Sequence, residues 1–327
     1  MSVQAFLFPG QGAQALGMGV DLAVRFPEAE RVFAAGREIL GFDVLAMARD
    51  GPEAELHSTR ASQPAIFLHS MAVLEVLSKR RGLPGPLDGG AASGDVATAG
   101  LSLGEYSALV FAGSLAFEDA VRIVGLRGAA MQEACERVPG GMAAVIGFPA
   151  ERVEAAVAAA QAEGCAVEVA NYNSPTQTVI SGEAPGVQRA AELLRAAGAR
   201  RVVPLKVAGA FHSRLMESAV RKLEPELRRI PIRAPRVPFY ANVLGDQVSD
   251  PEEIRRGLVR QVVSPVRWFE IVERLVARGL SGAFELGPGR VLQGLVRAVA
   301  PEVEVVPAGT CAEVEALAAR LLERIPT

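Results

Sequence analysis

The sequence predicts an α/β protein with a largely parallel sheet, and two observations lead to this prediction. Strand-like apolar runs alternate with amphipathic helical stretches along most of the chain, which is the pattern of a parallel sheet covered by helices. Half of the 327 residues are apolar, which is enough to bury a large core. We therefore expect one large domain that carries a smaller inserted unit.

The first part of the chain supplies the first strands and helices of this alternation. A strand-like run, VQAFLFPG, opens it, and a helix is expected near residues 25–41. Another helix begins at SQPAIFLHS, from Ser62 onward. A weak strand at 96–99 then turns abruptly into a helix at 103–111, and such a strand-turn-helix unit commonly places a residue at the edge of a sheet.

The middle of the chain follows a different order. Strand, helix, strand, strand, helix and strand are predicted in turn at 142–148, 151–163, 166–171, 177–181, 185–197 and 201–207. This β-α-β-β-α-β order is that of a ferredoxin-like unit. Glycines interrupt the pattern at 137–141 and 208–210, so we expect a subdomain of residues 139–208 inserted into a large domain of residues 1–138 and 209–327.

Composition excludes several classes of protein. The net charge of −3 gives no general attraction to nucleic acid. No apolar run approaches the ~18 residues of a membrane span, and the first residues lack the features of a signal peptide, so we expect a cytoplasmic protein with no membrane partner. Cys135, Cys165 and Cys311 lack metal-type spacing and are expected to be buried thiols, and the glycine-rich turns lack phosphate-binding motifs. We expect no metal and no cofactor.

The stretch Gly100-Leu101-Ser102-Leu103-Gly104 carries the most specific local pattern. Glycine and serine are common in any turn, so a plain turn remains an alternative. The pattern Gly-x-Ser-x-Gly between a strand and a helix also fits a nucleophile elbow, in which the serine hydroxyl is exposed on a sharp bend. On this interpretation Ser102 is a nucleophile.

A nucleophilic serine needs a base within hydrogen-bond reach, most often a histidine. The chain has three histidines: His57 lies in a polar stretch and His69 in the middle of an apolar helix, where a core histidine is common. His212 follows a predicted strand and precedes a helix, and active sites of α/β proteins gather at that edge of the sheet. We predict that His212 is the base.

The usual acidic partner of such a histidine is missing. Hydrolases with this elbow present serine, acid and histidine in that chain order. No acidic residue between positions 102 and 212 lies convincingly at a strand end. Either the chain is a different kind of serine enzyme, or a group other than a carboxylate orients the histidine.

Arg127 lies on the inward face of a helix. From Phe117 onward, Ala120, Val124, Arg127 and Met131 follow the spacing i, i+4, i+7, i+11. A charge on a buried face requires a partner. The partner is either an internal acid, for instance Glu133, or the carboxylate of a substrate held by the guanidinium fork.

Seven blocks of sequence follow one another in order between about residues 5 and 295: FLFPGQGAQALGMG, GLSLGEYSALVFAG, LRGAAMQEA, NYNSPTQTVISG, GAFHSRLM, LVRQVVSPVRW and ELGPGRVL. Together they resemble one family, the malonyl-CoA:acyl carrier protein transacylases. The resemblance implies an α/β-hydrolase-like large domain with a ferredoxin-like insert. It also implies transfer of malonyl from malonyl-CoA to the phosphopantetheine thiol of an acidic acyl carrier protein, in fatty acid or polyketide synthesis.

The resemblance assigns roles to the catalytic residues. Ser102 would be the nucleophile that carries the malonyl group, and His212 would be the base. The main-chain carbonyl of Gln261 would orient the histidine, which accounts for the missing acid. The main-chain amides of Gln11 and Leu103 would form the oxyanion hole.

The same resemblance assigns residues to substrate binding. Arg127 would hold the malonyl carboxylate, Phe211 would favour malonyl over branched acyl groups, and Gln63 and Asn173 would line the pocket. A helix-entry role for Gln63 explains its position equally well. Most members carry histidine before the nucleophile, whereas this chain has Leu101, so the identity of the acyl group is less firmly implied than the reaction.

Alternatives to malonyl transfer stay open at this point. The chain could be a thioesterase or acyl hydrolase, an acyltransferase for another acyl group, or a scaffold that docks the carrier without chemistry. We expect a monomer, and the arginine-rich helix with Arg255, Arg256 and Arg260 is a candidate surface for the acidic carrier.

Overall fold

The computed structural model describes residues 3–81, 85–89 and 95–323. The strands are β1 (Val3–Phe8), β2 (Val96–Gly100), β3 (Gly140–Ile146), β4 (Val167–Ser174), β5 (Gln177–Glu183), β6 (Arg201–Pro204), β7 (Phe239–Ala241), β8 (Asp246–Val248), β9 (Val266–Arg267), β10 (Leu280–Leu286) and β11 (Glu304–Ala308).

The α-helices are α1 (Val20–Arg25), α2 (Pro27–Leu40), α3 (Val44–Asp50), α4 (Glu53–Leu56), α5 (Thr59–Arg80), α6 (Gly104–Phe111), α7 (Phe117–Arg137), α8 (Ala150–Ala162), α9 (Ala184–Ala196), α10 (Glu217–Arg229), α11 (Pro251–Gln261), α12 (Trp268–Ala277), α13 (Val291–Val299) and α14 (Cys311–Glu323). Short 3₁₀ turns lie at Pro86–Asp88 and Arg214–Met216.

The strands form two sheets. The first has the order β11-β10-β1-β2-β7-β8, in which all neighbours are parallel except the antiparallel pair β7 and β8. Helices follow most of its strands along the chain. The predicted α/β class with a largely parallel sheet is confirmed for this part of the chain.

The second sheet has the order β6-β3-β5-β4-β9. Its first four strands pair antiparallel with one another, and they come from the predicted order β3-α8-β4-β5-α9-β6. The last predicted strand is shorter than expected, because β6 ends at Pro204 rather than at residue 207. No sequence pattern predicts β9, which pairs parallel with β4 from a position far beyond residue 208.

Two glycines bring β2 and α6 close enough to form the sharp turn at Ser102. A Cβ atom on Gly100 would lie 2.0 Å from the main chain of Gly104, and a Cβ atom on Gly104 would lie 2.0 Å from the carbonyl oxygen of Phe8. No side chain fits at either position. The turn therefore lies against the end of β1, at the carboxyl edge of the parallel sheet, as the pattern predicts.

Helix α5 passes through the largest hydrophobic cluster, and its residues from Thr59 to Leu77 are almost all buried. His69 in this helix is a core histidine, as expected, because its Nε2 lies 2.8 Å from the carbonyl of Gly309. Cys135 is buried, whereas Cys165 and Cys311 are only half-buried, and all three are free thiols. The prediction of three buried thiols is therefore right for one.

Membrane and metal features are absent from the part of the chain that the structure describes. None of its helices is long and apolar enough to span a bilayer. The same residues contain no group of three or more histidine, cysteine, aspartate and glutamate side chains that could hold a metal ion.

Candidate active site

Ser102 lies on the turn between β2 and α6 with φ at 51°, in the left-handed region. This region is unfavourable for a residue with a Cβ atom, and such strain is commonly found at reactive positions. The bend directs the hydroxyl toward His212, and Ser102 Oγ lies 2.9 Å from His212 Nε2. The two residues predicted as nucleophile and base are therefore in hydrogen-bond contact across 110 positions of sequence.

His212 is buried and is the second residue with a strained backbone, with φ at 58°. Its Nδ1 lies 2.9 Å from the carbonyl oxygen of Gln261 and 3.2 Å from that of Ser264. Because carbonyl oxygens can only accept, Nδ1 carries the proton and Nε2 presents its lone pair to Ser102. The carbonyl of Gln261 thus lies where the sequence prediction put it, and Ser264 is an addition.

The electrostatic surroundings keep His212 neutral. Burial lowers the pKa of His212 to about 4, and the positive charge of Arg127 lowers it further, while the two carbonyls act in the opposite direction. At neutral pH the imidazole is therefore in the form that accepts a proton. A base that stays neutral is ready for the serine hydroxyl.

Asn242 holds the turn that carries Ser102, and no local sequence pattern predicts this role. Its Oδ1 accepts from the main-chain amide of Ser102 at 2.6 Å, and its Nδ2 donates to the carbonyl of Gly100 at 2.7 Å. The amide of Ser102 is therefore occupied. The amides of Gln11 and Leu103, predicted as the oxyanion hole, have no acceptor among the described residues and remain available.

Arg127 is buried, with 1 % of its surface exposed, as the helical spacing predicts. Its Nη1 donates to Gln63 Oε1 at 2.6 Å, and its Nη2 donates to Ser102 Oγ at 3.0 Å and to Gln261 Oε1 at 2.9 Å. Its Nε has no partner in the described part of the chain. Burial lowers the pKa of Arg127, and the guanidinium is bonded to neutral acceptors alone.

The alternative of an internal salt bridge to Glu133 is wrong. Glu133 instead pairs with Arg137 at 2.9 Å and with Lys222, at the surface. Among the described residues, no carboxylate lies within 4.0 Å of the Arg127 guanidinium. The guanidinium therefore has no carboxylate partner in this part of the chain, and its Nε is unpaired there.

A second buried network stands behind Ser102. Gln261 Nε2 donates to the carbonyl of Ser102 at 2.8 Å and to Glu105 Oε2 in a short hydrogen bond. Glu105 Oε1 accepts from the main-chain amide of Asn242 at 3.1 Å. Burial raises the pKa of Glu105 to about 7, although the hydrogen bonds from Asn242 and Gln261 favour the ionised carboxylate.

A cavity of about 290 Å³ opens beside Ser102 and His212. Phe211, Asn173 and Gln11 line it, as does Leu101, which occupies the position before the nucleophile. The remaining lining residues are Gly10, Gly12, Gln14, His57, Met131, Met142, Ala144, Asn171, Gln177, Val179, Leu205, Lys206, Val207, Ala208, Val291 and Leu295. The lining is mainly apolar and also carries several amide side chains, two histidines and one lysine, which suits an extended thioester arm with polar groups.

The residues that line this cavity differ from the sequence prediction at two positions, Gln63 and His57. Gln63 does not line it, because it is fully buried behind the wall, where it accepts from Arg127 and lies 3.4 Å from Met131 Sδ. His57, which the sequence analysis set aside, does line it, and its Nδ1 lies 3.0 Å from Gln14 Nε2. Asn173 keeps a buried Oδ1 without a partner among the described residues, so one acceptor there is free.

Fold and site together define an α/β enzyme built around a paired serine and histidine, with a buried cation beside them. Residues 5–312 match the model of the family described as "Acyl transferase domain". The malonyl CoA-acyl carrier protein transacylase of Escherichia coli K12 is 42% identical over 321 residues, which cover 98% of this chain and 99% of that protein. The enzyme of the same name from Bacillus subtilis is 43% identical over 299 residues, 91% of each chain.

A solved structure gives the same result. It contains a malonyl-transacylase in complex with its type II PKS acyl-carrier protein, and its fold superposes with a TM-score of 0.88 at 39% identity, covering 98% of this chain and 100% of that one. The chain belongs to the acyl transferase domain family and, within it, to the malonyl CoA-acyl carrier protein transacylases.

Proposed function

We propose that this enzyme transfers a malonyl group from malonyl-CoA to the phosphopantetheine thiol of an acyl carrier protein, through a malonyl ester of Ser102, for fatty acid or polyketide synthesis. One observation carries the proposal. Ser102 Oγ lies between His212 Nε2, at 2.9 Å, and the Arg127 guanidinium, at 3.0 Å. A nucleophile and its base are thus adjacent to a cation that can hold the free carboxylate of a malonyl group.

In the first half-reaction, Ser102 Oγ attacks the thioester carbonyl of malonyl-CoA while His212 Nε2 takes the hydroxyl proton. The carbonyls behind His212 Nδ1 stabilise the imidazolium that forms. The negative oxygen of the tetrahedral intermediate accepts from the amides of Gln11 and Leu103. When the intermediate collapses, the C–S bond breaks and His212 returns the proton to the coenzyme A sulfur.

In the second half-reaction, the carrier thiol takes the place of coenzyme A. His212 Nε2 removes the thiol proton, the sulfur attacks the ester carbonyl, and the same amides hold the oxyanion. The C–O bond to Ser102 then breaks, and the serine oxygen recovers its proton from His212. The acyl group leaves as a thioester, and the enzyme returns to its starting state.

Arg127 supports malonyl as the acyl group. Its charge is buried among neutral acceptors, and one buried N–H lacks a partner among the described residues. A carboxylate would satisfy this charge with two charge-assisted hydrogen bonds, each worth about 1.5–3 kcal/mol. Phe211 and Asn173, which line the cavity, would then shape the space around the malonyl group, and Gln63 would support Arg127 from behind.

The finer description of the fold belongs to the same proposal. We infer an α/β-hydrolase-like domain of residues 1–138 and 209–327 with a ferredoxin-like subdomain of residues 139–208. The order β6-β3-β5-β4 of the four antiparallel strands supports the second part, since it places the first and third strands of the unit at its centre. A monomeric state and a cytoplasmic location stay predictions of the sequence.

The proposed surface for the acidic carrier includes fewer arginines than the sequence predicts. Arg255 donates to the carbonyls of Leu227 and Ile230 and pairs with Glu252, so its charge serves the fold. Arg256 and Arg260 are exposed on α11 and remain candidates. This helix ends at Gln261, whose carbonyl contacts His212, so a carrier bound there would lie near the site.

The proposal is tested by exposure to malonyl-CoA alone, followed by intact-mass analysis. We expect one malonyl group per chain, located on Ser102 by peptide mapping, and none in Ser102→Ala. Addition of the phosphopantetheinylated carrier should move the malonyl group to the carrier thiol. Continuous release of free malonate without the carrier would identify a hydrolase, and absence of any label on Ser102 would indicate a scaffold.

A further inference from the structure

Glu105 is buried behind the site, and the reaction described above does not use it. It lies in the first turn of α6, with 2 % of its surface exposed. Both of its oxygens accept hydrogen bonds, one from the main chain of Asn242 and one from the side chain of Gln261. A buried carboxylate is costly and persists where its hydrogen bonds are complete, so its position calls for a reason.

The neighbours of Gln261 leave its amide with one orientation. The carbonyl of Ser102 and the carboxylate of Glu105 can only accept, so the NH₂ group must face them. The Arg127 guanidinium can only donate, so Oε1 must face Nη2, at 2.9 Å. The Glu105 carboxylate thus adds a second acceptor on the NH₂ side of the amide and strengthens this orientation.

We propose that Glu105 is a positioning residue for acyl-group selection: through the amide of Gln261 it holds the Arg127 guanidinium in place for an acyl group that ends in a carboxylate. The inference rests on the proposed function. Glu105 contacts neither the reacting oxygen of Ser102 nor His212. It acts on Arg127 across one amide, that of Gln261.

A comparison of acylation by malonyl and by acetyl distinguishes a role of Glu105 in acyl-group selection from general support of the fold. Malonyl ends in a carboxylate that would bind Arg127, whereas acetyl ends in a methyl group. Displacement of Arg127 should therefore slow malonylation more than acetylation, because only malonyl loses a charged partner, whereas the loss of the contact with Ser102 Oγ is common to both acyl groups. Glu105 also bonds to Asn242, which holds the Ser102 turn, and damage transmitted by that route would slow both reactions equally.

The test compares wild type, Glu105→Gln and Glu285→Gln. Glu285 is a matched control, because it is fully buried, burial raises its pKa to about 7, and its oxygens accept from the amides of Leu292 and Gln293 at 2.9 and 2.8 Å. Rates of Ser102 acylation are measured separately with malonyl-CoA and acetyl-CoA by rapid mixing and intact mass. We expect the malonyl-to-acetyl rate ratio to fall about 10- to 100-fold in Glu105→Gln and less than about 3-fold in Glu285→Gln.

A second variant covers the case in which Glu105→Gln does not fold. Gln261→Met keeps the main-chain carbonyl that faces His212 but removes the amide, so its rate ratio should fall by a similar factor. The malonyl-to-acetyl rate ratio of the double variant, Glu105→Gln with Gln261→Met, should fall no further than that of either single variant, because both changes break the same hydrogen-bonded connection to Arg127.

An unchanged ratio in Glu105→Gln or in Gln261→Met overturns the inference, as does an equal loss for both acyl groups. A double variant whose loss equals the product of the two single losses also overturns it. Wild type that fails to acquire malonyl on Ser102 contradicts the proposed function instead, so the two failures are distinguishable.

Discussion

The side chain of Asn242 and the main-chain amide of Ser102 are joined by a 2.6 Å hydrogen bond between positions 140 residues apart in the sequence. The bond occupies a donor at the strained turn, and the same side chain ties the turn to Gly100. The position of the Ser102 side chain thus depends on a residue from a distant part of the sequence. This relationship leads to the first prediction.

Asn242→Ala should slow acylation of Ser102 by about 10²-fold, because a misplaced nucleophile loses its alignment with His212. The loss should be the same for malonyl-CoA and acetyl-CoA, since Asn242 does not contact Arg127. The free energy of unfolding should also fall by about 1–3 kcal/mol, because the Ser102 amide loses its acceptor. Acylation rates and urea unfolding test both parts, and a loss restricted to malonyl would contradict the assignment.

Arg127→Met should reduce the preference for malonyl over acetyl by about 10- to 100-fold, since the malonyl carboxylate loses its charged donor. The measurement is intact-mass analysis after brief exposure to an equal mixture of the two CoA esters. Arg122→Met is the matched control, because Arg122 lies on the same helix but is exposed and paired with Asp119 at 3.1 Å. If Arg127→Met keeps the wild-type preference, Arg127 does not hold the carboxylate.

The pH dependence of acylation should follow the low pKa of His212, which burial and Arg127 place at about 4. The neutral imidazole is the base, so activity is lost only as pH falls through the folded-state pKa. Between pH ~7.5 and ~5.5 the rate of Ser102 acetylation should change less than about 2-fold, whereas an unperturbed histidine would be mostly protonated at the lower end.

Acetyl-CoA is the substrate of choice for this profile, because acetyl transfer does not depend on the carboxylate contact of Arg127. The acid limb should move toward higher pH in Arg127→Met, since a positive charge that disfavours the imidazolium has been removed. A wild-type limb near the ordinary histidine pKa of ~6.5 would show that the buried environment does not act as described.

Gly104→Ala should destabilise the fold by about 3 kcal/mol or more, because the new Cβ atom would lie 2.0 Å from the carbonyl oxygen of Phe8. Gly257→Ala is the control, since Gly257 lies within α11 with no atom within 4 Å of the added methyl group. That control should gain about 0.5–1 kcal/mol, because alanine favours a helix over glycine. Urea unfolding distinguishes the two variants, and equal midpoints would show that β1 and α6 can separate at no cost.

The sequence predicts those site residues that are marked by a local pattern. Ser102 is marked by glycines that the close approach of β2 and α6 requires, and Arg127 by a charge on an inward helical face. His212 could be selected because the chain has few histidines, and one of them follows a strand. Only the family resemblance predicts the carbonyl of Gln261, since a main-chain atom has no sequence signature.

The missed residues act through contacts that are distant in the chain. Asn242 bonds to a turn 140 positions away, and Gln261 bonds to Glu105 across 156 positions. The sequence carries a weak signal for Glu105, which is the only charged residue in the apolar helix GEYSALVF. A charge among buried apolar residues requires a partner, as at Arg127. The strand β9 has no sequence signature, because two residues are too few to show an alternating pattern and their partners in β4 lie far away in the chain.

The strained backbone of Ser102 has a consequence for anyone who evolves this enzyme. Glycine at that position would relieve the left-handed φ of 51° and delete the reactive alcohol in one step. A library screened for heat resistance alone would therefore be enriched in well-folded but inert proteins. Directed evolution of this enzyme needs a turnover assay in every round, because the substitution at position 102 that relieves the backbone strain also removes the reactive hydroxyl.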